Sequence, residues 1–185
     1  MGKEIFRSKS LVVRSLTMQE RPILEKWLND PFVLKYYEGR DHPFSMDKIM
    51  KEFYRDEEGM FRCIVEYHDH PIGYIQYYLV DEPTKKLYHI TDNSKAIYGM
   101  DQFIGEAHYQ NKGIGTALVQ AMSAYLIEEM QAELIVMDPQ QWNKRALRCY
   151  EKSGFVIVKP LLKHEWHEGE YRDCWLMEYR GKGSL

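Results

Sequence analysis

The stretch EAHYQNKGIGTALVQAMSAYL, residues 106–126, changes character at its centre, where Gly113 and Gly115 stand one residue apart. Beyond them Ile114, Ala117, Leu118, Ala121, Met122, Tyr125 and Leu126 recur every three or four residues, which is the stripe of a helix buried along one side. The first N–H groups of a helix have no partner inside it, and the aligned peptide dipoles add partial positive charge there. Two glycines at that point let an anion approach the bare backbone. The run Gln110-Asn111-Lys112-Gly113-Ile114-Gly115 sets successive donors around a negative group, with Lys112 adding charge from the side, and a pyrophosphate fits that description. The residues alone also allow a glycine pair that merely tightens a strand-to-helix turn. The run is neither G-x-G-x-x-G nor G-x-x-x-x-G-K-S/T, which disfavours the ordinary dinucleotide and P-loop readings.

Working outward, LVVRSLT reads as a first strand, and Thr17 with Glu20 has capping-box spacing before a short helix over RPILEKWLN. Ser45 is placed to cap a second helix over SMDKIMKEFYRDE. MFRCIVEY and IGYIQYYLV, separated by HDHP, form an expected antiparallel hairpin. The polar segment DEPTKKLYHITDNSK is longer than an ordinary connection and reads as a flap or a solvent loop. IYGMDQFIG is the strand leading to the glycine pair, with Gly99 weakening one position. ELIVM is a continuous apolar run expected of a strand covered on both faces. NKRALRCYEKSG is a shorter helix closed by Gly154, and FVIVKPLL and DCWLMEYR are two last strands joined by KHEWHEGEYR. This order predicts an α/β (α+β) chain with a mixed central sheet flanked by helices.

The chain of 185 residues, 44% hydrophobic and 29% charged, suits one domain over residues 1–185, with a frayed tail from about residue 180. A net charge of -3 gives no reason to expect a nucleic-acid partner and mildly favours cationic ligands. Cys63, Cys149 and Cys174 are widely spaced with no C-x-x-C pair, which suggests reduced thiols rather than a disulfide framework or structural zinc. The N-terminal segment lacks the apolar region of a signal peptide, and no run approaches the roughly 18 apolar residues of a spanning helix. A cytoplasmic protein with no membrane partner is expected. Nothing in the sequence sets its oligomeric state.

Residues 110–115 match the Arg/Gln-x-x-Gly-x-Gly/Ala signature and so resemble the GCN5-related N-acetyltransferases, whose loop holds the pyrophosphate of acetyl-coenzyme A. NKRALRCYEKSGF is similar to the second coenzyme segment of that family, with Asn143 at the helix start and Tyr150 one turn before the closing glycine. A narrower resemblance, dense over residues 98–179, is to the aminoglycoside 6'-N-acetyltransferases, most closely the acetyltransferase half of the bifunctional acetyltransferase-phosphotransferase resistance enzymes. It is carried by YGMDQFIGE, GIGT, MDPQQWNKRALRCYEKSGF and HEWHEGEYRDCWLMEYR. The resemblance implies an acetyl-CoA-dependent enzyme whose cosubstrate is held by Gln110, Asn111, Lys112, Gly113, Ile114, Gly115, Thr116, Asn143 and Tyr150. It implies a cationic aminoglycoside as acceptor. Backbone N–H groups around Phe103 and Ile104 would polarise the thioester carbonyl.

Acetylating an amine needs a neutral nitrogen, so a carboxylate beside the attack site serves both to bind the ammonium and to take its proton. Asp101, in the strand before the loop, is the candidate, and a buried Asp satisfied by backbone donors is the rival reading. Asp138 ends the apolar strand, where it can hold another ammonium or cap the following helix. Tyr150 can protonate the departing thiolate or simply pack the core. Asp81, Glu82 and Asp92, with Glu165, Glu168 and Glu170, can supply an acidic acceptor surface, and Tyr98 can line it; each has a plainer role in a solvated loop or the core. His164 and His167 lack zincin spacing and fall in an expected turn, so no metal is assigned. Cys149 reads as an inert buried thiol. Acetylation of a polyamine, a peptide N-terminus or a siderophore precursor is the enzymatic alternative, and a non-catalytic acetyl-CoA sensor the other class.

Overall fold

A computed structural model describes residues 2–91 and 96–181. Asp92 and the last four residues of the expected tail lie outside the described residues. The chain runs β1 (Glu4–Ser8), β2 (Leu11–Ser15), α1 (Arg21–Trp27), α2 (Pro31–Leu34), α3 (Met46–Phe53), β3 (Met60–Tyr67) and β4 (His70–Leu79). It continues with α4 (Glu82–Tyr88), β5 (Ile97–Ile104), α5 (Ile114–Glu128), β6 (Leu134–Met137), α6 (Lys144–Lys152), β7 (Val156–His167) and β8 (Glu170–Tyr179). The strands hydrogen-bond in the order β1-β2-β3-β4-β5-β6-β8-β7. β5 and β6 are parallel, whereas β1 with β2, β2 with β3 and β6 with β8 are antiparallel. Val80 N donates to Ile97 O and Gly105 N to Ile72 O, so β4 and β5 are also antiparallel. The sheet is mixed, as the element order predicts. No helix among the described residues is long and apolar enough to cross a membrane.

Contacts gather the chain into two compact units, and β4 and β5 each contribute residues to both. The first comprises Met1–Gln76, Gln102–Ile114 and His167–Glu170. Its core collects Leu24, Trp27, Phe44, Ile49, Tyr74 and Phe103. The expected caps are in place: the Thr17 and Glu20 side chains bond each other's backbone N–H in a capping box, and Ser45 Oγ accepts from Lys48 N at 3.2 Å. Arg14, buried in β2, is held by Glu20 at 3.0 Å and Glu66 at 2.7 Å. Such a triad persists because each charge desolvated on folding finds its partner.

The second unit comprises Tyr77–Asp101, Gly115–Trp166 and Tyr171–Leu185. Val80, Ile97, Leu134, Val136, Leu161 and Leu176 form its core beside Tyr88. All four residues of β6 are buried, as the continuous apolar run requires. The body of α5 packs on α6 through small groups: a Cβ at Gly115 would lie 3.7 Å from Cys149 Sγ, and Thr116 Oγ1 lies 3.6 Å from that sulfur. Gln120 Nε2 donates to Lys152 O at 3.1 Å across the same seam.

Four features differ from the sequence expectation. β1 pairs with β2 ahead of the expected first strand. Pro31 opens α2, capped by Asp30, which accepts from Phe32 N at 2.8 Å. The polar segment after Val80 is helical over α4, because Asp81 caps it by accepting from Thr84 N at 2.9 Å and Pro83 sits in its first turn. Finally, β7 and β8 are longer than their apolar runs and turn only at Glu168 (φ 50°) and Gly169 (φ 87°), so His164 and His167 are strand residues rather than turn residues.

Candidate active site

The glycine loop is built by left-handed backbone at alternate positions. Asn111 has φ 58° and Gly113 φ 79°, and α5 begins at the next residue. This alternation turns successive N–H groups inward, the geometry of an anion nest. A Cβ built at Gly113 meets nothing within 4 Å, so the space outside this backbone is open to a ligand. Asn111, Lys112 and Gly113 are exposed, while Ile114 is buried and anchors the first turn. Gln110 serves the loop through its amide, which donates from Nε2 to Ile104 O at 2.9 Å and ties the loop back to the end of β5. Phe103 fixes that end, its ring 5.7 Å from Tyr74, 4.9 Å from Tyr37 and 6.0 Å edge-on to Trp27.

In the second unit, Asn143 Oδ1 accepts from Ala146 N at 3.1 Å and is the N-cap of α6. Tyr150 is half-buried on that helix, its ring 6.2 Å from Phe155. Burial pushes the Cys149 thiol above its ordinary value, which suits an inert thiol.

β5 and β6 bring two carboxylates together. Ile97 pairs with Leu134, Tyr98 with Ile135 and Gly99 with Val136, and Asp101 and Asp138 follow beyond those pairs. The charges of both carboxylates act on Tyr78 and on Tyr88, so the two share one neighbourhood. The Tyr78 hydroxyl donates to Asp101. Its ring passes so close to Gly99 that a Cβ there would fall 2.5 Å from Cε2 and 2.9 Å from the hydroxyl. The missing side chain that weakens the strand is what admits Tyr78 to Asp101.

Asp138 does not cap α6. Its Oδ2 accepts from the Tyr88 hydroxyl at 2.8 Å and pairs with His164 Nε2 at 2.7 Å. Burial alone would raise the Asp138 carboxyl, but the hydrogen bonds from His164 and Tyr88 hold it below its ordinary value. The bond to Asp138 raises His164 in turn, favouring imidazolium. Tyr78 and Tyr88 are both raised, first by burial and then by the charges of Asp101 and Asp138, so both remain neutral donors. The Asp138 side chain keeps 31% of its surface exposed, which leaves it open to a ligand.

The other acceptor candidates have structural roles of their own. Tyr98 is 5% exposed and belongs to the core. Asp81 is spent on capping α4. Glu168, in the first unit, is gripped by Arg40, whose Nε donates to Oε1 at 2.6 Å and whose terminal nitrogen donates to Oε2 at 2.7 Å. A carboxylate so paired adds little free negative field.

The acetyltransferase (GNAT) domain family matches residues 17–163. The chain belongs to the GNAT acetyltransferases. Among curated relatives, the aminoglycoside N(6')-acetyltransferase type 1 of Klebsiella pneumoniae is 28% identical over 149 residues, covering 79% of this chain and 74% of that protein. Among solved structures, aminoglycoside acetyltransferase AAC(6')-Ib in complex with coenzyme A superposes with a TM-score of 0.72 at 25% identity, over 92% of this chain and 95% of that one. Spermidine N-acetyltransferase of Vibrio cholerae, in complex with CoA and spermine, shares the fold with a TM-score of 0.72 at 18% identity, over 93% of this chain and 96% of that one.

As a GNAT enzyme the chain transfers acetyl groups to amines. Sequence reasoning missed Tyr78, Tyr88 and His164 as partners of the two carboxylates. The tyrosine-rich YIQYYL contained the signal for Tyr78, since a strand tyrosine able to line an acceptor cleft is expected to aim its hydroxyl at something. His164 was hidden by an assumed turn, and Tyr88 by an assumed loop.

Proposed function

We propose that this GNAT enzyme transfers the acetyl group of acetyl-CoA to the 6'-amino group of an aminoglycoside, by direct attack in a ternary complex, and so inactivates the antibiotic. The observation that carries this reading is the pair Asp101 and Asp138, whose charges act on the same two tyrosines and make an acidic grip matched to an acceptor with several ammonium groups. The similarity to the Klebsiella enzyme supports the same acceptor.

In this reading the nest of residues 110–115 binds the pyrophosphate of the donor through backbone N–H groups, with Gly113 leaving the approach open. Backbone N–H groups at Phe103 and Ile104 donate to the thioester carbonyl oxygen as charge develops on it. Asp101 binds the acceptor ammonium and takes its proton, freeing the nitrogen lone pair to form the C–N bond. As the tetrahedral intermediate collapses the C–S bond breaks, the Tyr150 hydroxyl gives a proton to the departing thiolate, and the surplus proton on the new amide nitrogen leaves through solvent, which restores the tyrosine. Asp138 holds a second ammonium of the acceptor. Thr116 and Asn143 act by shaping the seam and the start of α6 rather than by chemistry. Much of the rate comes from alignment of amine and thioester.

A polyamine acceptor is the second reading, favoured by the same paired carboxylates, which suit any dication. Thiol release from acetyl-CoA measured side by side with kanamycin, tobramycin, spermidine and spermine separates the two. A higher kcat/KM for the aminoglycosides is expected, and a preference for the polyamines overturns the acceptor assignment while leaving the acetyltransferase in place.

A further inference from the structure

We infer that His164 is a positioning residue for the acceptor, holding Asp138 by one oxygen so that this carboxylate and Asp101 together grip two ammonium groups. The inference rests on the proposed amine acceptor and concerns how the same site is held ready.

Two carboxylates in one neighbourhood repel each other, and the ordinary outcome is that they share a proton. A shared proton would leave one of them unable to hold an ammonium. Beside Asp138 the structure supplies a remedy: His164 Nε2 at 2.7 Å and the Tyr88 hydroxyl at 2.8 Å both meet Oδ2. Tyr88 brings a dipole without charge, whereas His164 can bring a positive charge, so only His164 offsets the repulsion from Asp101. Both donors converge on one oxygen, which fixes the rotation of the carboxylate.

His164 stands on β7, and the elements around it contribute Asp138 at the end of β6, the Tyr88 ring of α4 at 6.3 Å, and Glu165 beside it. Cys174 on β8 faces Glu165 and Asp138 and is pushed up by burial, so it stays a neutral thiol. Asp138, Glu165, Asp101 and, beside Cys174, Asp173 are negative groups of this cluster, and His164 is the positive group that meets Asp138. Removing it takes that positive charge from Asp138. The grip then weakens, and it recovers only at a pH high enough to ionise both members of the pair.

Steady-state kinetics of His164→Leu, His164→Gln and the wild-type enzyme test this. In His164→Leu the kanamycin KM rises about tenfold or more, the scale of one lost charge-assisted contact. Its acetyl-CoA KM is unchanged, and the acidic limb of kcat/KM against pH moves to higher pH. His164→Gln keeps a donor for Oδ2 and recovers part of the KM but not the position of the acidic limb. An unmoved kanamycin KM and acidic limb in His164→Leu, in an enzyme whose wild type turns kanamycin over, overturns the role of His164. Equal increases in both KM values with a lowered Tm also overturn it, since they mark a structural part only. Wild-type enzyme that acetylates no amine overturns the acceptor reading itself, and this inference with it.

Discussion

Asp101, in β5, and Asp138, the residue after β6, act on the same two tyrosines, and each accepts from the hydroxyl of a different one. Each tyrosine fixes the aim of its own carboxylate. In the proposed reaction Asp101 takes a proton while Asp138 holds the acceptor in place.

Replacing Asp101 with Asn removes the proton acceptor while keeping the shape. The expected result is a kcat lower by about 100-fold or more, the usual scale of general-base catalysis. The acetyl-CoA KM is expected to stay as in the wild type, which steady-state kinetics with saturating acceptor checks. Equal loss of donor binding would instead point to misfolding.

Gly99→Ala puts a methyl group inside the Tyr78 ring, where contacts of 2.5 to 2.9 Å leave no room. The ring must shift away from Asp101. The variant should lose about 1–3 kcal/mol of stability by overpacking and also lose kcat. Tyr78→Phe separates the two effects: kcat falls about tenfold with the hydrogen bond gone, while the Tm moves much less.

Gly113→Ala places a Cβ in the open space outside the nest and holds alanine at φ 79°. The strain costs about 1–2 kcal/mol. Calorimetric titration of CoA should show weakened binding beyond what the fall in stability explains, because the methyl stands where the pyrophosphate is expected to lie.

The Arg40 and Glu168 pair gives stability a pH dependence of fixed sign. The hydrogen bonds from Arg40, side chain first and then backbone, lower the Glu168 carboxyl to about 2, against about 4.3 in an unfolded chain. A depressed folded-state value contributes stability that is present above the unfolded value and lost as pH falls through the folded one. Arg40 is half exposed, so the contribution is about 1 kcal/mol or less. Thermal melts of wild type and Glu168→Gln should differ at pH 6 and converge as pH falls from about 4 toward 2.

Most of the fold was legible because its signals are local. The stripe of α5, the capping box at Thr17, the Ser45 cap and the all-apolar β6 each follow from spacing alone. Where a polar segment held its own start signal, as Asp81 and Pro83 do for α4, composition hid the helix. β7 and β8 outran their apolar runs because antiparallel pairing, which is not local, continues through charged residues. The site divides in the same way. The nest and Asp101 sit in contiguous motifs. The grouping of Tyr88, Asp138 and His164 depends on packing that brings α4 and β7 to the residue after β6, across 50 and 26 positions of the chain. No spacing rule contains that.

The most direct test of the account is the position of the acetyl group on kanamycin after reaction with acetyl-CoA, read by tandem mass spectrometry and NMR. The account predicts a single acetyl on the 6'-nitrogen, formed at a rate that Asp101→Asn suppresses. An acetyl on any other nitrogen, or no acetylated kanamycin from folded enzyme that binds CoA, would contradict it.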